Sequence, residues 1–204
     1  RPDLVAITGD LVDGSVDELR AATAHLARLR ARYGVYFVTG NHEYYSGAVA
    51  WMEELRRLGI RVLRNERVTV GDAGPGGATL DLAGVDDWSV APADQAGRWR
   101  SLEGALAGRD PERSLVLLAH QPRGVAAAVQ AGVELQLSGH THGGQIYPWN
   151  FLVGAIYPYL RGLYPARQGE QQGQVFVSCG TGYWGPPMRL FSRNEIVRFT
   201  LVRR

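Results

Sequence analysis

Short apolar runs that stop abruptly at a polar turn constrain the fold of this chain more than any other feature. Residues 4–7, 35–38, 115–118 and 135–137 are rich in Leu, Val and Ile and stop at Gly, Ser, Thr, Ala or His. Runs of this length bounded by turn residues are typical of strands buried in a sheet. Segments with helical periodicity alternate with them, so the pattern predicts an α/β domain.

Two segments between the first strands show this helical periodicity. Ser15 and Glu18 fit an S-x-x-E capping box, and apolar residues recur at helical spacing as far as Tyr33, which predicts a helix ended by Gly34. A second helix is predicted over residues 46–58. Its inward-facing residues are predicted to be Val49, Met52 and Leu55.

The second half of the chain is richer in strand patterns. Residues 67–70 and 79–85 alternate apolar with polar residues across a glycine-rich loop, which predicts a hairpin. The other predicted elements are helices over residues 94–106 and 125–129 and strands over residues 60–63, 175–177 and 196–202. Because no repeat or composition break marks a boundary, residues 1–204 are interpreted as one α/β domain with a pair of mixed sheets.

Composition narrows the functional classes. The chain has 204 residues, of which 45% are hydrophobic and 21% charged, as in a folded domain. The single Cys179 argues against a disulfide framework or a Cys-rich zinc ribbon. No apolar run is long enough to span a membrane. Net charge is only +2 and the arginines are dispersed, so no nucleic-acid binding is expected.

The polar residues that follow the apolar strands carry the functional signal. Asp10, the pair Asn41–His42, His120, and His140 with His142 each come directly after a predicted buried strand. In open α/β sheets ligands bind outside the carboxyl ends of the strands, so these side chains are expected to converge. The remaining histidine, His25, lies in a predicted helix and is interpreted as an ordinary, partly exposed residue.

One carboxylate, one carboxamide and several imidazoles form a donor set suited to Mn, Fe, Zn, Ni or Co. A carboxylate can bridge two such ions, which together activate a water and neutralise a phosphoryl group. Taken alone, Asp10 fits an ordinary turn and His120 a hydrogen-bonded structural histidine. The segment Gly139–His140–Thr141–His142 is harder to explain that way, and the four signals together predict a metal site.

These motifs resemble those of a known family. In order, GD at Asp10, GNHE at residues 40–43, AH at His120 and GHTHGGQ at residues 139–145 resemble the calcineurin-like metallophosphoesterases, over nearly the whole chain. The tail VSCGTGYWGPPMRLFSRNEI is similar to one branch, the bacterial membrane-associated phosphoesterases of the YkuE and YaeI type and the UDP-2,3-diacylglucosamine hydrolases. The resemblance implies a sandwich of two mixed β-sheets flanked by helices.

The resemblance also implies a role for each matching residue. Asp10 is expected to bridge two divalent metal ions whose activated water attacks phosphorus, and His42 to lie beside the leaving-group oxygen. The remaining implied metal ligands are Asn41, His120 and His140 in one shell and His142 in the other. The expected substrate contacts are His42, Gly143, Gly144 and Trp149.

One departure from the family pattern concerns the start of the chain. The family carries an Asp-x-His motif before the GD motif, and no residue from Arg1 onward supplies it, since Asp3 is followed by Leu4 and Val5. We expect the sequence to be a piece of a longer enzyme that lacks its first strand and helix, so that the metal served by His142 would be short of two ligands. The alternative is a relative with a partial site that binds without cleaving.

Residues 146–165 follow the last histidine motif and are dense in Tyr, Trp, Phe, Leu and Ile. They fit either a packed connecting segment or an apolar lip that accepts acyl chains or touches a bilayer. The favoured function is metal-dependent hydrolysis of a phosphodiester or pyrophosphate, with lipid-linked or nucleotide-sugar compounds as the substrate class. The alternatives are a phosphomonoesterase or protein phosphatase, and a non-catalytic binding module with a degenerate metal site.

Overall fold

A computed structural model describes residues 1–74, 76–90 and 95–202. The first part of the chain forms a small parallel sheet with strand order β1-β2-β3. Its elements are β1 (Val5–Ile7), α1 (Val16–Thr23), a 3-10 helix (Ala24–Arg28), β2 (Val35–Phe37), α2 (Asn41–Tyr45), α3 (Ala48–Arg57) and β3 (Arg61–Val62).

The second part forms a six-stranded sheet with the order β4-β5-β6-β7-β9-β8. Its elements are β4 (Glu66–Gly71), β5 (Thr79–Gly84), α4 (Gln95–Leu106), β6 (Leu115–Leu118), α5 (Val125–Gln130), β7 (Leu135–Ser138), a 3-10 turn (His142–Gly144), α6 (Trp149–Ile156), β8 (Gly162–Gln168) and β9 (Gln171–Val177). The pairs β4–β5 and β8–β9 are antiparallel and the central pairs are parallel. This sheet is mixed, as predicted, whereas the smaller one is wholly parallel.

The two sheets face each other across a hydrophobic core. Tyr36 and Val38 from the β2 region pack with Leu82 of β5 and with Val116 and Leu118 of β6. Alternate residues of the same strands face outward, because successive side chains of a strand point to opposite faces. Those of β2 pack against α3, and those of β6 pack against α4 and α5. The predicted sandwich of two sheets flanked by helices is therefore confirmed.

The first predicted helix is shorter than its apolar pattern. The α-helix begins with the predicted Ser15 capping box but ends at Thr23, and a 3-10 helix continues to Arg28. Leu26 and Leu29 still pack on the core. Their spacing of three residues suits the three-residue turn of a 3-10 helix, so the apolar pattern did not distinguish the two helix types.

The helix predicted over residues 46–58 is also corrected. Helical structure begins earlier, in α2, and then breaks at Gly47, whose φ is +91°. The predicted inward residue Val49 is 67% exposed, whereas Trp51 is fully buried. Met52 and Leu55 are buried as predicted, and Trp51 lies on the same helix face as Leu55, four residues away.

The strand predicted over residues 196–202 is wrong. These residues lie outside both sheets, and Ile196 and Val202 are 92% and 78% exposed. An apolar–polar alternation needs a neighbouring strand to form a ladder, and in the described structure this segment has none. Residues 146–165, by contrast, contain α6 and the first half of β8. Among the described residues, no helix is long and apolar enough to cross a bilayer.

Candidate metal centre

Polar side chains from four loops meet at the carboxyl edge of the two sheets. Asp10 follows β1, Asn41 opens α2 after β2, His120 follows β6 and His140 follows β7. One ligand atom from each of Asp10, His120 and His140 lies within 4.8 Å of the other two. Asn41 joins them, since its Oδ1 lies 2.9 Å from His140 Nδ1. The structure brings together four of the side chains predicted to converge, and their role as metal ligands stays a prediction.

The facing atoms of this cluster are lone-pair donors. His120 Nε2 lies 2.9 Å from Asp10 Oδ2 and 3.1 Å from His140 Nδ1. His120 Nδ1 lies 2.7 Å from the carbonyl oxygen of Thr8, which can only accept, so Nδ1 carries a proton. In the neutral ring Nε2 then presents its lone pair to the cluster. A divalent cation satisfies such a mixed oxygen and imidazole set, so the residues fit a metal ion.

Two glycines allow the loops after β1 and β2 to touch. A Cβ on Gly9 would lie 2.5 Å from the nitrogen of Gly40, and a Cβ on Gly40 would collide with the carboxylate of Asp10. Asp10 and His140 themselves have φ values of +53° and +69°. Non-glycine residues adopt this region at an energetic cost, and such strain concentrates at functional sites.

A buried carboxylate ties the same two loops together. Glu43, on α2, accepts hydrogen bonds from the backbone N–H groups of Asp10 (2.9 Å), Leu11 (2.7 Å) and Gly40 (2.6 Å). Burial raises the pKa of Glu43, and the three backbone donors oppose that shift. Three donors converging on one carboxylate fix the position of Asp10 relative to Asn41, which is next to Gly40.

The charges in the cluster depend on one another. Burial by itself raises the pKa of Asp10, but the hydrogen bond and charge of His120 outweigh burial, so that pKa lies below its usual value. Burial lowers the pKa of His120, and Asp10 more than compensates, so the net shift is upward. For His140, burial and then the charge of His120 lower the pKa to about 4. His140 is therefore neutral at pH 7, the form in which imidazole binds metal ions.

His42 lies at the rim of the cluster, with both its backbone and its ring held. Its backbone N–H donates to Asp10 Oδ1 at 2.9 Å. Its ring Nδ1 lies 3.1 Å from Oδ1 of Asp13, and the side chain is 26% exposed. The carboxylate of Asp13 orients the imidazole and leaves Nε2 available to a ligand in solvent.

His142 is held apart from this set. Its Nδ1 lies 3.3 Å from the guanidinium of Arg189, which also donates to the carbonyl of His142 at 3.1 Å. Burial and then the positive charge of Arg189 lower the pKa of His142 to about 4. Among the described residues, the group of acidic and histidine side chains close enough to share a metal ion includes Asp10, His120 and His140, and not His142.

The predicted substrate contacts have different surroundings. Gly143 and Gly144 are buried, where a Cβ would clash with Cys179 and Asn150 respectively. Packing alone thus accounts for the two glycines, and their contact with substrate stays a prediction. Trp149, at the start of α6, is 50% exposed. It lines an open apolar groove of about 520 Å³, together with Gln145, Ile146, Pro148, Leu152, Trp184 and Pro186.

Sequence reasoning missed several residues that support the site. Glu43 was visible as the last letter of GNHE, and its position three residues after a helix start signals a capping role. Arg189 and Tyr157 lie in segments that the sequence singled out, the tail motif and residues 146–165, but no local pattern indicated that either side chain would reach the histidine motif. Tyr157 Oη lies 2.7 Å from His140 Nε2.

Comparison with known proteins decides the family. A profile described as "Calcineurin-like phosphoesterase" matches residues 1–144. The chain belongs to the calcineurin-like phosphoesterases. The predicted family is thereby confirmed, and this family consists of hydrolases that act on phosphoester bonds and use divalent metal ions.

Curated relatives of this phosphoesterase occur in animals and bacteria. It is 44% identical to "Transmembrane protein with metallophosphoesterase domain" from Bos taurus, with 98% of this chain and 46% of the relative covered. It is 30% identical to "Uncharacterized metallophosphoesterase YkuE" from Bacillus subtilis, with 98% and 68% covered. The predicted likeness to YkuE is confirmed, and that to UDP-2,3-diacylglucosamine hydrolases stays a prediction. The chain spans about half the length of the first curated relatives it matches.

Solved structures support the fold of the phosphoesterase. NAD nucleotidase from Haemophilus influenzae superposes with a TM-score of 0.53 at 18% identity, covering 86% of this chain and 40% of that one. The 5'-nucleotidase precursor from Thermus thermophilus superposes with a TM-score of 0.54 at 17% identity, and the match covers 87% of this chain and 40% of that one. At such identities the likeness extends to the fold alone.

Proposed function

We propose that this domain hydrolyses a phosphodiester or pyrophosphate bond with the help of divalent metal ions. The observation that carries the proposal is the convergence of Asp10, Asn41, His120 and His140. Their oxygen and nitrogen lone pairs face one another within hydrogen-bonding distance at the carboxyl edge of both sheets. When His120 is neutral, its Nε2 and Oδ2 of Asp10 face each other as two acceptors, and a divalent cation bound between them would satisfy both.

The four residues are proposed to hold one metal ion, and Asp10 to bridge to a second ion served by His142. When bound, divalent ions there would lower the pKa of a water molecule and neutralise charge on a phosphoryl group. Glu43 would keep the bridging carboxylate in place through the backbone of Asp10 and Leu11. Arg189 would keep His142 at the far side of the cluster. The Asp-x-His motif expected for the second shell stays a prediction.

His42 is proposed to handle the leaving group. Asp13 accepts a hydrogen bond from its Nδ1, and Asp10 fixes its backbone. In the protonated ring Nε2 also carries a hydrogen, which it can donate to a phosphate oxygen or transfer to the departing alkoxide or phosphate. A proton at that oxygen lowers the barrier because negative charge develops there as the bond breaks.

The substrate is proposed to carry an apolar part, as lipid-linked phosphates do. The groove beside α6 begins at Gln145, three residues after His142. Helix α6 carries no charged residue, and its Phe151, Leu152 and Ile156 are 65%, 54% and 65% exposed. Such a surface favours acyl chains or the face of a bilayer, where Trp and Tyr also lie favourably. Nucleotide sugars are the other substrate class to be assayed.

The metal site is tested by elemental analysis of this chain after purification with Mn²⁺, and activity by turnover of bis(p-nitrophenyl) phosphate in a longer chain that carries the Asp-x-His motif. We expect close to one equivalent of metal in this chain, because only one shell is complete among the described residues. His120→Asn should lose metal and activity together. His25→Asn is the matched control, because His25 is exposed on the 3-10 helix outside the site, and it should retain both.

The outcomes separate the three functional classes. The metal site would be refuted if the parent chain contained no metal and if His120→Asn and His25→Asn had the same metal content as the parent. Metal binding without turnover in any assay, including a longer chain that carries the Asp-x-His motif, would favour the non-catalytic binding module. Preference for p-nitrophenyl phosphate over the diester would favour a phosphomonoesterase.

The apolar part of the substrate needs a separate test. Trp149→Ser with Phe151→Ser should lower turnover of a phosphodiester with a long acyl chain relative to that of a water-soluble one. The fraction of the protein that sediments with lipid vesicles should fall as well. Val49→Ser removes an equally exposed apolar side chain from α3 and serves as the control. If the ratio of turnover between the long-chain and the water-soluble phosphodiester is unchanged, the lipid assignment is refuted and the proposed hydrolase activity is unaffected.

A further inference from the structure

Both ring nitrogens of His140 have partners, and the two partners lie on opposite sides of the ring. Nδ1 faces the candidate metal site, 2.9 Å from Asn41 Oδ1 and 3.1 Å from His120 Nε2. Nε2 faces away, 2.7 Å from the hydroxyl of Tyr157. If His140 holds a metal ion, the geometry leaves Nδ1 as the ligand atom, and Nε2 must then carry the ring proton.

We propose that Tyr157 is a positioning residue for His140, whose hydroxyl accepts the Nε2 proton and so directs the Nδ1 lone pair toward the metal ion. This inference rests on the proposed function, since it requires His140 to be a ligand. Metal-binding histidines donate their second ring N–H to an oxygen, which fixes the tautomer and ring orientation. Thr8 plays this part for His120 through its backbone carbonyl, and Tyr157 is the matching oxygen for His140.

The hydroxyl of Tyr157 is held where it can do this. The residue closes helix α6, and its backbone N–H donates to Val153 at 2.9 Å. The guanidinium of Arg123 lies 4.8 Å from the ring centre, a cation–π contact that restrains the ring. The ring also meets that of His140 edge-on, with centres 5.2 Å apart. The ring contacts would survive in phenylalanine, so the hydroxyl can be tested separately from them.

This contact connects the apolar helix to the metal centre. At the N-terminal side of α6, Asn150 packs so closely on Gly144 that a Cβ there would lie 2.5 Å from the Asn150 Cα. At the C-terminal side, Tyr157 reaches His140. Helix α6 is therefore anchored at both ends to the loop that carries the histidine motif, while its middle faces solvent. Substrate bound along α6 would lie against the element that orients this ligand.

The test compares Tyr157→Phe with Tyr159→Phe, which makes the same chemical change two residues away in a tyrosine that packs on Tyr164. Zn²⁺ affinity is measured by competition with a chromophoric chelator. We expect Tyr157→Phe to bind Zn²⁺ about 10–100-fold more weakly, the usual loss for such a partner. Tyr159→Phe should bind like the parent chain, and circular dichroism should show that both metal-free variants keep the parent's fold.

An NMR measurement separates positioning from a packing effect. In the Zn²⁺-loaded, ¹⁵N-labelled parent, the Nε2 proton of His140 should be observable and slow to exchange because Tyr157 protects it. That signal should vanish or exchange rapidly in Tyr157→Phe only. Parent-like affinity and an unchanged Nε2 signal in Tyr157→Phe would overturn this inference and leave the proposed function standing. A parent chain that binds no Zn²⁺ would overturn both.

Discussion

Asp13 Oδ1 lies 3.1 Å from Nδ1 of His42, so a carboxylate on the loop after β1 orients an imidazole that belongs to α2. The two residues are 29 positions apart in the sequence. The hydrogen-bond partner of Asp13 is thus the ring of the candidate proton donor.

Replacing His42 with Ala should reduce turnover of a phosphodiester by about 10²–10⁴-fold, the usual contribution of a positioned acid or base. Metal content should stay at the parent's level, since His42 lies outside the metal-binding set. The measurement is kcat with elemental analysis on the same preparation, and His25→Ala is the control. Parent-like turnover in His42→Ala would refute the role. Asp13→Asn should reduce kcat less, because it loosens the ring without removing it.

Glu43 should matter for both stability and metal binding. Glu43→Leu leaves three backbone N–H groups without an acceptor. The free energy of unfolding should fall by at least about 1–3 kcal/mol, the cost of one buried unsatisfied donor. Urea denaturation measures this free energy. For Glu43→Gln, which keeps one acceptor oxygen, it should lie between the values for Glu43→Leu and the parent. If Glu43→Leu is as stable as the parent, the carboxylate does not hold the loops together.

Gly40 should tolerate no side chain. Its φ of −102° is accessible to alanine, so the obstacle is the collision of a Cβ with Asp10. Gly40→Ala should cost about 1–3 kcal/mol of stability and weaken metal binding, because the carboxylate must move. The matched control is Gly104→Ala in α4, where a Cβ meets nothing within 4 Å. That change should stabilise the helix by about 1 kcal/mol. Equal thermal shifts for the two variants would contradict the argument.

Glu54 should make stability depend on pH away from the site. Its carboxylate is 4% exposed and bonds to Arg57 at 2.8 and 2.6 Å, with Arg20 at 3.3 Å. The hydrogen bonds from Arg57 hold the pKa of Glu54 below its usual 4.5. A lowered carboxyl pKa stabilises the fold above 4.5, and this contribution disappears as the pH falls through the folded-state value.

Glu54→Gln should therefore unfold at a lower temperature than the parent at pH 7. The difference should shrink as the pH falls below 4.5. Melting temperatures across pH 3–8, followed by circular dichroism, would show this. The neighbouring Glu53→Gln is the control, because Glu53 is exposed on the same helix. A difference that stays constant with pH would contradict the assignment.

Much of the fold was predictable because the local signals agree with the tertiary structure. The runs before Asp10, Asn41, His120 and His140 are strands, and the Ser15 capping box starts a helix. The failures occurred where a pattern is compatible with several structures. Apolar spacing did not separate the α-helix from the 3-10 helix near Leu26, and alternation over residues 196–202 did not supply a partner strand.

The candidate site likewise has residues that the sequence indicated and contacts that it did not. Residue type and position at strand ends singled out Asp10, Asn41, His120 and His140, because parallel strands deliver their carboxyl ends to one edge of a sheet. Nothing local indicated that His142 would be held by Arg189, 47 positions away, or that an apolar segment would fold into α6.

The sequence by itself determined the family, the buried strands and the chemical type of the site, since these depend on residue identity and short-range spacing. Only the tertiary structure decided which atom of each histidine faces the cluster, because that depends on hydrogen-bond partners far away in the chain. Thr8 lies 112 positions from His120, and Tyr157 lies 17 positions from His140 on a helix of its own. The carbonyl oxygen of Thr8 and the hydroxyl of Tyr157 contact the ring nitrogens that face away from the cluster, and such contacts form only once the chain is packed.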